Sequence, residues 1–200
     1  MLSEWSCVRP QGEIHAGDDN VQLLALPGTL WMTQEKRSAV NWDAPDARNL
    51  FLSPSIGDEG TLTVDIEFTP KSFGEQAGVH VYVSDEEYVK VVVEGMKKSP
   101  RVALVIAKQS KGEPQVMHKH ALAEDAVSVS VRLRVSVDKV RKMVKCELAN
   151  ESDDAFAQVG ETVDIADNLV DENSEVRFCL AAYGAQSTET APVARFNLVA

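Results

Sequence analysis

Basic residues are scarce in this sequence. The chain has 20 lysines and arginines against 31 aspartates and glutamates, which gives a formal net charge of −11. Nucleic-acid binding requires a basic surface that neutralises phosphates, and adsorption to anionic lipid requires clustered lysine or arginine. The charge balance therefore argues against both partners, and the acidity itself favours solubility.

Long apolar runs and paired cysteines are missing too. No stretch approaches the roughly 20 apolar residues of a membrane-spanning helix, and the first 20 residues lack the basic segment and apolar run of a secretory signal. The three cysteines, Cys7, Cys146 and Cys179, lie far apart and never in a CxxC spacing. Such an odd, scattered set is typical of reduced surroundings. We therefore expect no membrane partner and a cytoplasmic location.

The sequence also lacks extended helical periodicity. About a dozen short segments instead alternate apolar and polar residues, with turn residues between them, as in all-β proteins. This series predicts an antiparallel sandwich or barrel. Residues 161–172 are predicted as a short helix or a loop. Since no repeat or linker divides the chain, we predict one domain at 21–200 and an N-terminal arm or edge strand at 1–20.

The clearest alternation lies at residues 74–95, GEQAGVHVYVSDEEYVKVVVEG. The valines on both sides of the acidic turn should share one buried face, because a one-residue slip would turn one set outward. We predict the pairs Val83–Val89, Val81–Val91 and Val79–Val93. The opposite face then pairs Tyr82 with Lys90, Ser84 with Tyr88, His80 with Val92 and Gly78 with Glu94.

A second strong strand, VSVSVRLRVSVD, spans residues 127–138. Its odd-numbered positions, from Val127 to Val137, are all valine or leucine and should face the core. Arg132 and Arg134 fall on the other side with three serines. One dry face and one wet face are usual for antiparallel sheets.

The polar side chains of the 74–95 hairpin form a patch: His80, Tyr82, Lys90 and Glu94. An ordinary solvated sheet face would account for it, since cross-strand pairs such as Tyr–Lys stabilise sheets by ~0.2–1 kcal/mol without any ligand. A shallow saccharide groove would account for it as well. Sugars bind where a flat aromatic surface lies beside groups that hydrogen-bond hydroxyls. The residues alone leave both interpretations open.

The same hairpin carries a family resemblance. Gln76-Ala77-Gly78-Val79, the acidic turn, Tyr88-Val89-Lys90 and Glu94 resemble a signature of concanavalin A-like lectin/glucanase sandwiches. The resemblance is closest to the group that includes the fungal regulator-of-enolase family, and the sandwich domain appended to β-xylosidases is related. Segments at 27–30 (PGTL, resembling an opening strand), 68–70 and 194–199 match in the expected order, so the resemblance covers residues 22–200.

The resemblance implies a jelly-roll of two antiparallel sheets, with carbohydrate bound on the concave one. Relatives often carry a tryptophan after the strand that matches RVALVIAK, whereas KQSKGEP at 108–114 has no aromatic residue. Trp31 and Trp42 remain as candidates, although core or rim positions suit them better. The regulator-of-enolase likeness also implies an alternative, an intracellular regulatory or protein-interaction role.

Catalytic and metal chemistry has weaker support. Glucanases of this superfamily use alternating ExDxE acids, but the nearest match is Thr63-Val64-Asp65-Ile66-Glu67, and a threonine cannot replace the nucleophilic carboxylate that retaining enzymes need. His118 and His120 could form a metal pair, but no third zinc ligand is evident, so we interpret them as loop residues. The acidic clusters at 57–60 and 85–87 could ligate calcium but match no known loop spacing.

We therefore predict a non-catalytic saccharide-binding module, with a protein partner or glycoside hydrolysis as alternatives. The predicted ligand-binding residues are His80, Tyr82, Lys90 and Glu94, with Arg132 and Arg134 if their strand joins the same sheet. Tyr82 would stack on the sugar, the cationic groups would donate to hydroxyls, and Glu94 would accept. No cofactor is expected, with calcium as the one candidate.

Overall fold

Two antiparallel β-sheets packed face to face make up the structure, a computed structural model that describes residues 2–11, 14–30, 46–111, 113–125, 127–149, 155–169 and 174–199. A short 3₁₀ helix, Leu2–Glu4, precedes the strands. Numbered in chain order, these are β1 Ser6–Val8, β2 His15–Ala16, β3 Asn20–Leu24, β4 Leu50–Leu52, β5 Glu59–Phe68, β6 Gln76–Ser84, β7 Glu87–Gly95, β8 Val102–Ser110, β9 Glu113–Ala123, β10 Val129–Asp138, β11 Met143–Ala149, β12 Phe156–Gln158, β13 Val163–Asp164, β14 Arg177–Tyr183 and β15 Val193–Val199. The all-β sandwich prediction is confirmed.

The strand order defines the two sheets. Sheet A runs β1-β4-β14-β6-β7-β8-β9, and sheet B runs β12-β11-β10-β5-β15-β3-β2, with β13 paired to β11. Strands distant in sequence, such as β14 and β6, lie side by side, which is how a jelly-roll places its strands. No helix among the described residues has the length and apolarity needed to cross a bilayer.

One apolar core fills the space between the sheets. Val79 and Val91 enter it from sheet A, and Ile66, Leu133 and Phe196 enter it from sheet B; all five are 0% exposed. Their alternation with outward-facing residues follows from the two-residue period of a strand. The predicted dry faces therefore do press together, except that Val127 lies before β10 and is 46% exposed.

The hairpin register differs from the predicted one by two residues. Val79 faces Val91 and Val81 faces Val89, because a bulge between Tyr82 and Ser84 leaves only Asp85 and Glu86 in the turn. The predicted pairs were therefore wrong. A shift of two residues keeps every side chain on its predicted face, so the division into two faces survives.

Several further segments differ from their predicted structure or lie outside the described residues. His118 and His120, predicted as loop residues, lie in fact on β9, an 11-residue strand, whose alternation is hidden because both of its faces carry polar residues. Residues 28–30 are not a strand. Trp31 and Trp42 lie outside the described residues. Residues 161–169 form β13 and a turn, while 170–173 are again outside.

The N-terminal residues pair with both sheets. Ser6–Val8 adds an edge strand to sheet A beside β4, and His15–Ala16 pairs with β3 at the edge of sheet B. The domain boundaries themselves, 1–20 and 21–200, stay a prediction. All three cysteines are free thiols, of which Cys146 and Cys179 are buried.

Candidate ligand-binding face

The outer face of sheet A carries a second cluster of buried side chains. Even-numbered residues of β6 and β7 point away from the central core, next to Cys179, Ala181 and Tyr183 of β14. Leu30 and Ala47 pack onto this surface and form one cluster with Leu50, Leu52, Tyr88 and the β14 residues. The face predicted to be wet is thus partly covered.

His80 lies at the centre of this face and is 0% exposed. Its ring stacks on Tyr88 at 5.2 Å between centroids and meets the edge of Tyr183 at 5.9 Å. The Tyr183 hydroxyl is 3.5 Å from Nε2, at the limit of a hydrogen bond, and Nδ1 has no hydrogen-bond partner among the described residues. Burial, together with the charge of Lys90, lowers the pKa of His80 to about 3.

Lys90 lies directly across from His80 on β7. It is 1% exposed, its ammonium donates to Gln76 Oε1 at 2.7 Å, and Glu94 Oε2 lies 3.7 Å away. Burial lowers the pKa of Lys90 to about 8, although Glu94 acts in the opposite direction. Glu94 keeps 16% of its side chain exposed and forms the solvent-facing end of this trio.

Tyr82 ends the row on β6 and is held by the acidic turn. Its hydroxyl donates to Asp85 Oδ1 at 2.9 Å, and the same carboxylate accepts two hydrogen bonds from Arg9 at 2.7 and 2.8 Å. Burial and the negative charge of Asp85 raise the pKa of Tyr82. The ring is therefore fixed at the rim of the face and not fully covered.

The acidic cluster at 85–87 forms hydrogen bonds within the protein. Asp85 binds Arg9 and Tyr82, and Glu87 accepts from the Asn168 side chain at 3.0 Å and the Lys111 backbone at 2.6 Å. Among the described residues no group of three or more His, Cys, Asp and Glu could hold a metal ion. These contacts give the cluster a structural role as the anchor of the hairpin turn.

Arg132 and Arg134 do not join the other predicted residues. Their strand, β10, belongs to sheet B, and both point outward from that sheet. Arg132 forms a two-pronged pair with Asp65, at 2.7 and 3.1 Å, and Arg134 lies 3.6 Å over the Phe156 ring. The structure thus brings together four of the six predicted residues and places the two arginines on the far side of the sandwich.

Sequence reasoning missed three members of the face. Gln76 and Tyr88 share the alternation of His80 and Lys90, so the hairpin pattern was sufficient to assign them. Tyr183 comes from β14, which pairs with β6 across a large gap in sequence, and no local pattern indicates that pairing. Asp65 and Glu67, the glycosidase candidates, lie on the outer face of sheet B, where Arg132 already binds Asp65.

Comparison with known proteins agrees with this architecture. A family model described as the β-xylosidase C-terminal concanavalin A-like domain matches residues 15–198. The chain belongs to this family. The match confirms the predicted likeness to the β-xylosidase sandwich domain, whereas it does not show the predicted relationship to the regulator-of-enolase family. A search of the curated proteins found no match.

Solved structures of the same fold include whole enzymes and a separate module. The xylan β-1,4-xylosidase of Bacillus halodurans C-125 is 17% identical with a TM-score of 0.67, and 90% of this chain covers 33% of it. The Bacteroides ovatus xyloglucan PUL GH43B is also 17% identical, with a TM-score of 0.67, and the match covers 98% of this chain and 36% of that protein. This chain spans about a third of those enzymes' length. Carbohydrate-binding module CBM66 of Bacillus subtilis is 16% identical, with a TM-score of 0.53, and the match covers 98% of this chain and 93% of that module.

Proposed function

We propose that this chain is a non-catalytic carbohydrate-binding module and that the outer face of sheet A holds the saccharide. The family to which it belongs is an accessory domain of β-xylosidases. A similar solved structure of nearly the same extent is by its title a carbohydrate-binding module. Both observations concern related proteins, whereas the position of the site follows from this chain's own residues.

The observation that carries the proposal is the His80 Nδ1 atom. It is buried on the outside of the sheet, and no described residue satisfies it. A buried polar atom without a partner costs about 1–3 kcal/mol, and a sugar hydroxyl that reaches Nδ1 would recover that cost. The stacked Tyr88 ring and the neighbouring Lys90 ammonium supply the aromatic surface and the donor that sugars use.

Access to this cluster is through its exposed end. Glu94 and Tyr82 retain solvent contact, while His80, Lys90 and Gln76 lie beneath them. A saccharide that enters from the Glu94 side would first bond that carboxylate and then the Lys90 ammonium. Deep engagement requires Leu30 and Ala47 to shift away from Tyr88 and Tyr183, with which they pack.

The two alternative functions have less support. Hydrolysis by a retaining mechanism would need two free carboxyls about 5–5.5 Å apart. Asp65 and Glu67 both lie on the outer face of sheet B, and Asp65 is already bound by Arg132. A regulatory protein partner of the regulator-of-enolase type is not favoured by the comparisons.

The test is saccharide binding by the purified chain, with xylan, xyloglucan and a mixed glycan array as probes. We expect saturable binding that weakens at least 10-fold in Glu94→Gln, since a neutral amide loses the charge-assisted hydrogen bond of the carboxylate. Glu67→Gln is the matched control, because it makes the same change on the exposed outer face of sheet B. Titration calorimetry measures both affinities.

Three outcomes would count against the proposal. Absence of binding to every glycan would remove it, and a protein captured without any glycan would favour the interaction role. Equal weakening in Glu94→Gln and Glu67→Gln would place binding elsewhere. Release of sugar that Asp65→Asn abolishes would establish hydrolysis instead.

A further inference from the structure

A cleft opens at one lateral edge of the sandwich, away from the outer face of sheet A. There the last strand of sheet A, β9, lies opposite β11 and β12 of sheet B, and none of the described strands closes the gap between the two sheets. The opening measures about 400 Å³, within the range of small-molecule sites. It is lined by His118, His120, Leu148, Ala149, Ala157, Gln158, Val159 and Gly160.

Two histidines form the sheet A wall of this cleft. His118 pairs with Ile106 and His120 with Leu104, residues whose side chains face the central core. Both imidazoles therefore point toward the inner side of the sandwich, where an apolar residue would normally close the core. Among the described residues neither imidazole has a hydrogen-bond partner, so their nitrogens are free to bind a ligand.

The opposite wall is apolar. Leu148 and Ala157 face each other across β11 and β12, and Val159 follows with 6% exposure. Gly160 closes the end of the cleft with φ +68, and a Cβ built on it would lie 2.9 Å from His118 Cβ. Any larger residue would push the His118 ring away, so glycine at this position permits the close approach that shapes the cleft.

The geometry points to a second saccharide subsite in this cleft, one that takes a single pyranose unit of an oligosaccharide. The apolar wall would pack on the C–H face of the ring, and the two imidazoles would exchange hydrogen bonds with hydroxyls. A metal is the competing ligand for two histidines, but zinc sites use three or four protein ligands, and the described residues supply no such group. The subsite rests on the proposed carbohydrate-binding function but uses none of the residues of the outer face.

The experiment is a nuclear magnetic resonance titration of the ¹⁵N-labelled chain with xylobiose, xylotetraose and, separately, Zn²⁺. We expect saturable shifts at residues 118–120 and 157–160 with either oligosaccharide. His120→Ala should weaken them at least 5-fold, and the double change His118→Ala/His120→Ala should abolish them. His15→Ala is the matched control, an exposed strand histidine at the edge strand β2 of sheet B, and should change nothing.

The outcomes separate this subsite from the outer face. If the shifts are confined to β6 and β7 and are lost in Glu94→Gln, the cleft subsite is overturned and the proposed function is retained. Cleft shifts that persist in Glu94→Gln would support the cleft, even if the outer face shows none. Cleft shifts with Zn²⁺ alone, unchanged affinity in the double variant, or no shift with either oligosaccharide would each overturn the subsite. Urea midpoints equal to that of the wild type verify that the variants fold.

Discussion

At the scale of single residues, the burial of His80 ties stability to acid pH. Its pKa falls to about 3 in the folded chain, against about 6.5 when unfolded. Between these values the unfolded state binds a proton that the folded state does not, so stability falls as pH falls from 6.5 toward 3. We expect His80→Phe, which keeps the ring contacts, to remove about 3 kcal/mol of that loss at pH 4.

Urea unfolding of wild type and His80→Phe at pH 7, 5.5 and 4 measures this effect. At pH 7 the variant should be as stable as the wild type or more so, since it also removes the unpartnered Nδ1. Parallel pH profiles for the two proteins would show that His80 titrates normally and is therefore not buried as described.

Lys90 gives the corresponding effect at alkaline pH. Its pKa is lowered to about 8, below the usual value of about 10.4, so the folded state releases a proton before the unfolded state does. The Lys90 contribution to stability therefore rises between pH 8 and 10, by about 2 kcal/mol. Buried cysteines and tyrosines with raised pKa values act in the opposite direction.

The difference between wild type and Lys90→Met isolates the lysine, because the other groups are common to both proteins. We expect the free energy of unfolding of the wild type, measured relative to that of the variant, to increase as pH rises from 8 to 10. Denaturant titrations at each pH provide the values. A constant difference across that range would contradict a lowered pKa for Lys90.

Sequence reasoning at this scale predicted faces but not burial. Alternation in the hairpin placed His80, Tyr82, Lys90 and Glu94 on one side, as the structure has them. It did not predict that His80 and Lys90 are buried, because the residues that pack on this face come from distant segments around Leu30, Ala47 and Tyr183. The binding role of these residues stays a prediction.

At the scale of elements, Gly78 fixes the contact between β6 and β7. A Cβ at this position would lie 2.2 Å from the Val91 carbonyl oxygen and 2.6 Å from Val92 Cα, both backbone atoms. Gly78→Ala must therefore displace the strands, and we expect a loss of about 2–3 kcal/mol. Gly57→Ala is the control, since nothing lies within 4 Å of its Cβ.

Thermal and urea unfolding compare the two alanine variants. Gly57→Ala should stay within about 0.5 kcal/mol of wild type, the usual range for surface changes. If Gly78→Ala were equally neutral, the strands would be farther apart at this point than described.

Elements with one clear apolar face were predictable, and elements without one were not. β10 alternates cleanly, and the ends predicted for it lie within two residues of the observed ones. β9 carries histidine, lysine and glutamine on its surfaces, so no period-two pattern marked it. The hairpin register was missed because a bulge at Val83 depends on how the turn folds, not on which residues are apolar.

At the scale of the whole molecule, both sheets contribute to a single core, so they should unfold together. Phe196 is fully buried in that core and belongs to sheet B. Phe196→Ala should cost about 3–5 kcal/mol and lower the stability of both sheets equally. Tryptophan fluorescence and far-ultraviolet circular dichroism should give coincident transitions in wild type and variant. Separate midpoints for the two probes would mean that the sheets unfold independently.

Which strands share a sheet was beyond the sequence. Alternation divides each strand into two faces but does not identify its neighbours, and it therefore left open whether the strand of Arg132 and Arg134 joins the hairpin sheet. In the structure β14 lies beside β6 in sheet A, whereas β10, with Arg132 and Arg134, belongs to sheet B. The cytoplasmic location stays a prediction.

The distribution of the three free thiols makes the chain a reporter of its own folding. Cys146 and Cys179 are 4% and 0% exposed, whereas Cys7 is partly accessible on the edge strand. Burial raises the pKa of both inner thiols, which withholds the reactive thiolate from a reagent. A maleimide pulse should therefore add one label to the native molecule and three to the denatured one. Mass spectrometry of the labelled chain would thus count open molecules in a mixture, without any engineered probe.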